Sequence, residues 1–280
     1  MSRPVFDKAL AEAAAHGVKS IRLYSTAEPT LHPDFDEYVG ELKRRQFDVG
    51  VSTNASSLME HFDSLASIDD LQFSIDGWDK LSYEQLRAPL KFDKIHLNVE
   101  QFWKRIIHHP KRPAINCNLL LTRSADLQAF VDCWGPFVDT ISLNFLLGTT
   151  HFEGGHFHDR PNPEMLSEYL EHTTDFRQVC AYPFNSITVA FDGKIAPCCS
   201  DFAAELPMGN ILNGIAQSQQ SASLASIRSQ FYTGRVDICT GCSFFMKPSP
   251  TEVRNIEARL ASVSSPWRHK LRLPKLQREQ

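Results

Sequence analysis

The chain has 280 residues, 42% of them hydrophobic and 22% charged, with 29 Lys+Arg against 33 Asp+Glu for a net charge of −4. These values suit a folded globular protein with a sizeable core and argue against disorder along the whole chain. They show no basic excess of the kind nucleic-acid-binding domains carry, and no apolar run approaches the ~18 residues of a membrane-spanning helix.

Met1 to Phe6 lacks the apolar core of a secretory signal, which places the protein most simply in the cytoplasm. Ser2 to His16 reads as a helix, with Phe6, Ala9, Leu10 and Ala13 at helical spacing and Gly17 as its stop. Val18–Tyr24 is a β-type run, and Pro33-Asp34 opens a helix through Arg45. Strands follow at Phe47–Ser52, Leu71–Ile75, Ala114–Thr122 and Val138–Phe145. Helices are expected at Ser57–Ser67, Asn98–His109 and Asp126–Trp134. Units of this kind give parallel strands joined by right-handed crossovers. The fold class is therefore α/β, either an open doubly wound sheet or a partial TIM-like barrel. Both place ligands at the carboxyl ends of the strands. No strand is followed by a G-x-G-x-x-G or Walker A loop, so nicotinamide and P-loop nucleotide readings lose their main support.

Polar residues sit at three successive strand ends. These are Glu28 after the first strand, Asn54 after the second, and Asp76 after the third, with Ser74 just before it and Arg87 beyond. Taken singly, each reads as a cap for the turn or helix that follows. Taken together, they point to a ligand site on one rim.

The cysteines divide the chain. Cys117 and Cys133 sit in apolar contexts and read as buried structural thiols. The other five, Cys180, Cys198, Cys199, Cys239 and Cys242, fall close together. An odd total without an export signal argues against a disulfide framework. Cys180 precedes a β-hairpin that turns at Asp192-Gly193, Cys198 ends its return strand, and Cys239-Thr240-Gly241-Cys242 is a C-x2-C pair. Four such thiolates suit one metal centre, a tetrahedral zinc or an iron–sulfur cluster. Cys199 is the spare and a possible substitute for Cys198.

The strand-end segments resemble those of the radical SAM family. Leu23 to Pro33 is similar to its Gly-Gly-Glu segment, Ser52-Thr53-Asn54 to its Thr-Asn-Gly strand end, and Phe73 to Arg87 to its Ser-Leu-Asp-Gly…Arg stretch. The order and spacing hold over residues 1 to about 146. The resemblance implies a partial (β/α)6 TIM-like barrel that binds S-adenosylmethionine (SAM). Glu28 would then accept from the SAM ammonium, Arg87 would pair with its carboxylate, and Asn54, Ser74 and Asp76 would reach the ribose hydroxyls. The later segment, with Gly193-x4-Cys198, Met208-Gly209-Asn210-Ile211 and the C-x2-C pair, resembles the SPASM/twitch extension of the same family. It implies one auxiliary 4Fe–4S cluster on Cys180, Cys198, Cys239 and Cys242, in a small α+β domain. Beside the barrel motifs, iron–sulfur is favoured over zinc.

The family's C-x3-C-x2-C segment, which holds the SAM-cleaving cluster after the first barrel strand, has no counterpart here, since no cysteine precedes Cys117. Ser25, Thr26 and Ala27 also stand where the family has glycines. Two readings follow: a truncated copy of an active enzyme, or a degenerate relative that keeps the iron–sulfur or SAM-binding role without radical chemistry. In the active form, the resemblance implies radical oxidation or modification of a peptide or small sugar-type substrate, with an electron donor such as flavodoxin or ferredoxin. It singles out no catalytic residue. The expected division is a barrel over 1–150, a connection over 151–178, the cluster domain over 179–248, and a helix with a basic tail over 249–280. His151 to Asp159 forms a His-rich loop, either a surface loop or a mononuclear metal site. The basic tail from Pro266 is expected to be solvated and flexible.

Overall fold

A computed structural model describes residues 1–24, 27–121, 125–144, 170–172, 182–199, 201, 206, 208–233, 246–248 and 250–272. In chain order the elements are α1 (Arg3–Ala15), β1 (Ser20–Leu23), α2 (Phe35–Arg44), β2 (Asp48–Thr53), α3 (Phe62–Ser67), β3 (Asp70–Ser74), α4 (Lys80–Arg87), α5 (Phe92–Ile106), β4 (Ala114–Leu120), α6 (Leu127–Trp134) and β5 (Thr140–Asn144). Beyond these come β6 (Leu170–His172), α7 (Tyr182–Asn185), β7 (Thr188–Val189), β8 (Ile195–Ala196), α8 (Ile215–Gln219), α9 (Ala222–Thr233), β9 (Met246–Pro248), α10 (Pro250–Ser262) and β10 (Leu271–Arg272). The chain forms two compact units, one of Ser20–Leu146 with Pro250–Gln280, the other of Met1–Lys19 with Leu147–Ser249.

The first unit is built on a six-stranded sheet in the order β1-β2-β3-β4-β5-β10, and every pairing is parallel. The first five strands follow one another in sequence order. A doubly wound sheet reverses its order at a switch point, so the observed progression is that of a partial TIM-like barrel.

Side chains alternate across a strand, and here the alternation separates two chemistries. Val49, Val51, Leu71, Phe73, Ile75, Ile115, Cys117, Leu119, Ile141 and Leu143 are all buried. Helices cover this face. Phe102 of α5 lies edge-on to Phe73 at 6.3 Å, and Trp134 of α6 packs edge-on to Phe92 at 5.8 Å. Each large side chain so buried contributes roughly 1.5–3 kcal/mol. The opposite face carries Ser52, Gln72, Asn116 and Thr140 in one cross-strand row and Ser74, Asn118 and Ser142 in the next. At the amino end of this face Arg22 lies across Gly50, where a Cβ would come within 2.6 Å of its side chain. Its guanidinium pairs with Asp48 at 2.8 Å and Asp70 at 3.0 Å.

Three features differ from expectation. The helix expected at Asn98–His109 begins earlier, at Phe92, and ends at Ile106, ahead of Pro110. A further helix, α4, forms over Lys80–Arg87, started by a capping box in which Asp79 and Ser82 satisfy each other's backbone N–H groups. Within the basic tail, Leu271-Arg272 is a strand beside β5 at Ile141 and Ser142. It is held by packing of Trp267 against Gly135 and, further back, by Gln128, which accepts from the Ser264 N–H at 2.9 Å.

In the second unit, β7 and β8 form an antiparallel hairpin through Asp192-Gly193. Asn210 locks that turn. Its Nδ2 donates to Asp192 O at 3.2 Å, and the next N–H, of Ile211, donates to Gly193 O at 2.8 Å. Gly193 has φ +87°, and a Cβ on it would lie 2.7 Å from Asn210 Oδ1. A core of Val5, Ile195, Met208, Ile211, Ile215 and Leu224 lies beneath the hairpin. Helix α1 belongs to this core, and its Glu12 Oε2 accepts from the Ile215 N–H at 2.9 Å.

Two predictions follow from this packing. Asp139 accepts both guanidinium arms of Arg112, at 2.6 and 2.7 Å, and the Ile115 N–H at 2.9 Å. Partial burial raises its carboxyl pKa, but these donors outweigh burial and hold it below its ordinary value. Its stabilisation is present above the unfolded pKa of about 3.9 and is lost as pH falls through the lower folded value. Asp139→Asn should therefore lower the melting temperature at neutral pH, and the gap from the parent should close as the pH is taken below the carboxylate range. Gly193→Ala should destabilise its unit by roughly 1–2 kcal/mol from the left-handed backbone alone, read by chemical denaturation, with more lost as Asn210 is displaced.

Candidate ligand face and iron–sulfur segment

The loops after β1, β2 and β3 carry the strand-end residues. Glu28 joins two of these loops. Its Oε2 accepts from the Asn54 N–H at 2.6 Å, and its Oε1 accepts from Thr53 Oγ1 and Thr30 Oγ1, each at 2.7 Å, and from the Thr30 N–H at 3.2 Å. Asn54 Oδ1 in turn accepts from the Ser56 N–H at 2.9 Å and closes a local turn. Capping is thus part of what both residues do. A carboxylate has about four acceptor positions, and Oε2, with one donor among the described residues, keeps room for another.

Asp76 sits in the left-handed region at φ +65°, which Asp tolerates better than most residues. Its Oδ1 accepts from the Leu120 N–H at 2.8 Å, joining the ends of β3 and β4. Its Oδ2 pairs with Arg87 Nη2, and the two side chains are 13% and 29% exposed. Ser74 Oγ is 3.0 Å from Ser52 Oγ, which also accepts from Gln72 Nε2 at 3.2 Å. The structure thus brings Glu28 together with Asn54, and Asp76 with Arg87, while Ser74 belongs to the polar face between them.

Sequence reasoning missed Gln72, Asn116, Asn118, Thr140 and Ser142 on the same face. The period-2 alternation in Leu71-Gln72-Phe73-Ser74, Ile115-Asn116-Cys117-Asn118 and Thr140-Ile141-Ser142-Leu143 was the available signal. Asn116 donates to Thr140 Oγ1 at 2.7 Å, but its Oδ1 and that of Asn118 are buried without a hydrogen-bond partner among the described residues. An unmet buried acceptor costs about 1–3 kcal/mol. Such atoms mark where a ligand or water donates. Tyr83 is also fully buried, with its hydroxyl unpartnered, and burial pushes its pKa up to about 12, so it stays neutral.

Cys198 lies just past β8 and is half-buried. Its carbonyl accepts from the Asp201 N–H at 3.3 Å. Cys180, Cys239 and Cys242 lie outside the described residues, as does the His151–Asp159 loop. Among the described residues no group of three or more His, Cys, Asp and Glu is disposed to hold a metal ion. Cys117 is fully buried, and burial raises its thiol pKa well above the ordinary value; burial also pushes Cys133 up to about 12. Thiolate is the ligating form, so both fit the structural role expected of them.

Comparison with known proteins bears on both parts. Residues 180–243 match the family model of SPASM, an iron–sulfur cluster-binding domain. No curated protein matches the sequence. Among solved structures, Streptococcus suis SuiB bound to precursor peptide SuiA is similar with a TM-score of 0.63 and 15% identity, over 98% of this chain and 69% of that one. SuiB bound to S-adenosylmethionine gives 0.60 and 16%, over 98% and 69%. BtrN in complex with AdoMet and 2-DOIA gives 0.50 and 16%, over 86% and 80%. At these identities the likeness is one of fold. The chain therefore joins a partial barrel similar in fold to SuiB and BtrN to a segment, residues 180–243, that matches the SPASM iron–sulfur cluster-binding model.

Proposed function

We propose that this chain is a SAM-binding iron–sulfur protein of the radical SAM/SPASM type, in full-length form a radical oxidoreductase or modifying enzyme for a peptide or a small sugar-type substrate. The observation that carries this reading is the SPASM match, which spans Cys180, Cys198, Cys239 and Cys242. Four thiolates are the usual ligand set of a 4Fe–4S cluster. Those four thiolates suffice for one auxiliary cluster, as in the twitch-like form. The locked Gly193–Asn210 hairpin would fix Cys198 for its part in that set. The auxiliary cluster would supply one-electron transfer when bound, with flavodoxin or ferredoxin as the class of donor and the reducing cytoplasm as the setting.

The chain's own residues bind and orient. Glu28 Oε2 accepts from the SAM ammonium, a charge-assisted bond. Arg87 reaches the carboxylate while still held by Asp76. Asn54 and Ser74 offer polar atoms to the ribose, and Asp76 keeps the ends of β3 and β4 in register. SuiB with its precursor peptide supports a peptide substrate, and BtrN with 2-DOIA supports a small one. Ser25, Thr26 and Ala27, standing where the family has glycines, favour a second reading, a module that binds its ligand without radical chemistry.

Anaerobically reconstituted protein should contain iron and acid-labile sulfide in equal amounts. Cys198→Ser should lower both, while Cys133→Ser should leave both unchanged. Zinc without iron or sulfide would contradict the reading. Glu28→Gln should weaken SAM binding by roughly tenfold or more, as expected for loss of a charge-assisted hydrogen bond, in calorimetry on protein with parental circular dichroism. A parent protein that binds no SAM would contradict the SAM-binding part of the reading.

A further inference from the structure

Asn118 lies at the centre of the polar face, paired in register with Ser74 of β3 and Ser142 of β5. It is 9% exposed, and its Oδ1 has no hydrogen-bond partner among the described residues. Its backbone is nevertheless fixed on both sides. Its carbonyl accepts from the Asp76 N–H at 3.2 Å, and the Leu120 N–H is held by Asp76 Oδ1 at 2.8 Å. The neighbouring Ser74 hydroxyl is engaged with Ser52. The amide of Asn118 is thus a positioned polar group whose acceptor is not used by the described residues.

The charge along this rim is uneven. Glu28 stands at the β1–β2 end, and the Asp76–Arg87 pair stands beyond β3. Beside them, the row Ser74, Asn118 and Ser142 is uncharged. A zwitterionic amino acid belongs with the charged groups, and an uncharged ring belongs with the amide. A carboxamide presents an acceptor and a donor in one plane. The adenine edge presents the complementary pair, an amino group beside a ring nitrogen, and Asn–adenine bidentate pairing follows from that match.

We propose that Asn118 reads the adenine base of SAM on its N7 edge, its Oδ1 accepting from the 6-amino group and its Nδ2 donating to N7. This rests on the SAM-binding reading above. It makes Asn118 a specificity-determining residue on β4, whereas the strand-end residues hold the rest of the cofactor.

The test compares two probes by calorimetry on anaerobic, cluster-loaded protein: S-adenosylhomocysteine, and S-inosylhomocysteine, in which a 6-oxo group replaces the 6-amino group. The parent should prefer the adenine probe by roughly 10–100-fold, the worth of one good bidentate pair. Asn118→Ala should bring the two affinities close together, and Asn118→Ser should do the same if the alanine variant fails to fold. Asn116→Ala, one row deeper, should leave the preference intact. Equal binding of both probes by the parent overturns the proposal without any variant. So does a variant that weakens both probes alike, which would place Asn118 on the ribose. If neither probe binds the parent, the SAM-binding reading falls and this assignment falls with it.

Discussion

A parallel strand flanked by parallel neighbours normally buries both faces under apolar cover. In this sheet only one face does so. Leu71, Phe73, Ile115, Cys117, Ile141 and Leu143 are sealed beneath the helices, while the intervening positions are Gln72, Ser74, Asn116, Asn118 and Ser142. The apolar face supplies the cohesion, and the polar face must find hydrogen bonds elsewhere. The strand-end contacts serve that face. Glu28 ties the loop after β1 to the end of β2, and Asp76 ties β3 to β4. Each carboxylate thus joins neighbouring strand ends and stands where a ligand on the polar face would meet it.

The SPASM segment obeys a different constraint. Its hairpin strands are two residues each, too short to be stable on ladder bonds alone. Asn210 fills the space that a side chain at Gly193 would occupy, so the two positions, separated by 17 in sequence, form one interlocking piece. Helix α1 completes the core beneath it through Val5 and the Glu12 cap on Ile215. The amino-terminal helix is therefore part of the unit that carries Cys198, although in sequence it stands next to the barrel.

Much of this was legible in the sequence. The helix and strand alternation, the strand-end residues and the cysteine spacing are local patterns, and local patterns survive without a structure. What was not legible depends on partners distant in the chain. Helix α4 buries only Tyr83, so it shows no apolar stripe, and its one local sign was the Asp79–Ser82 capping box. Strand β10 is two residues in a basic tail, made a strand by the edge of β5. The pairing of Asp76 with Arg87 and the four bonds to Glu28 need the folded loops. The polar face was visible as alternation in each strand, but its meaning as a continuous surface depends on register between strands.

Hydrogen–deuterium exchange with and without SAM tests the central claim, that the polar face and its carboxyl-end loops form the ligand surface. The account predicts slower exchange on ligand addition at residues 52–56, 74–78 and 118–121, with the amino ends of the same strands unchanged. Binding that leaves those segments unprotected, or protects only residues elsewhere in the chain, would contradict it.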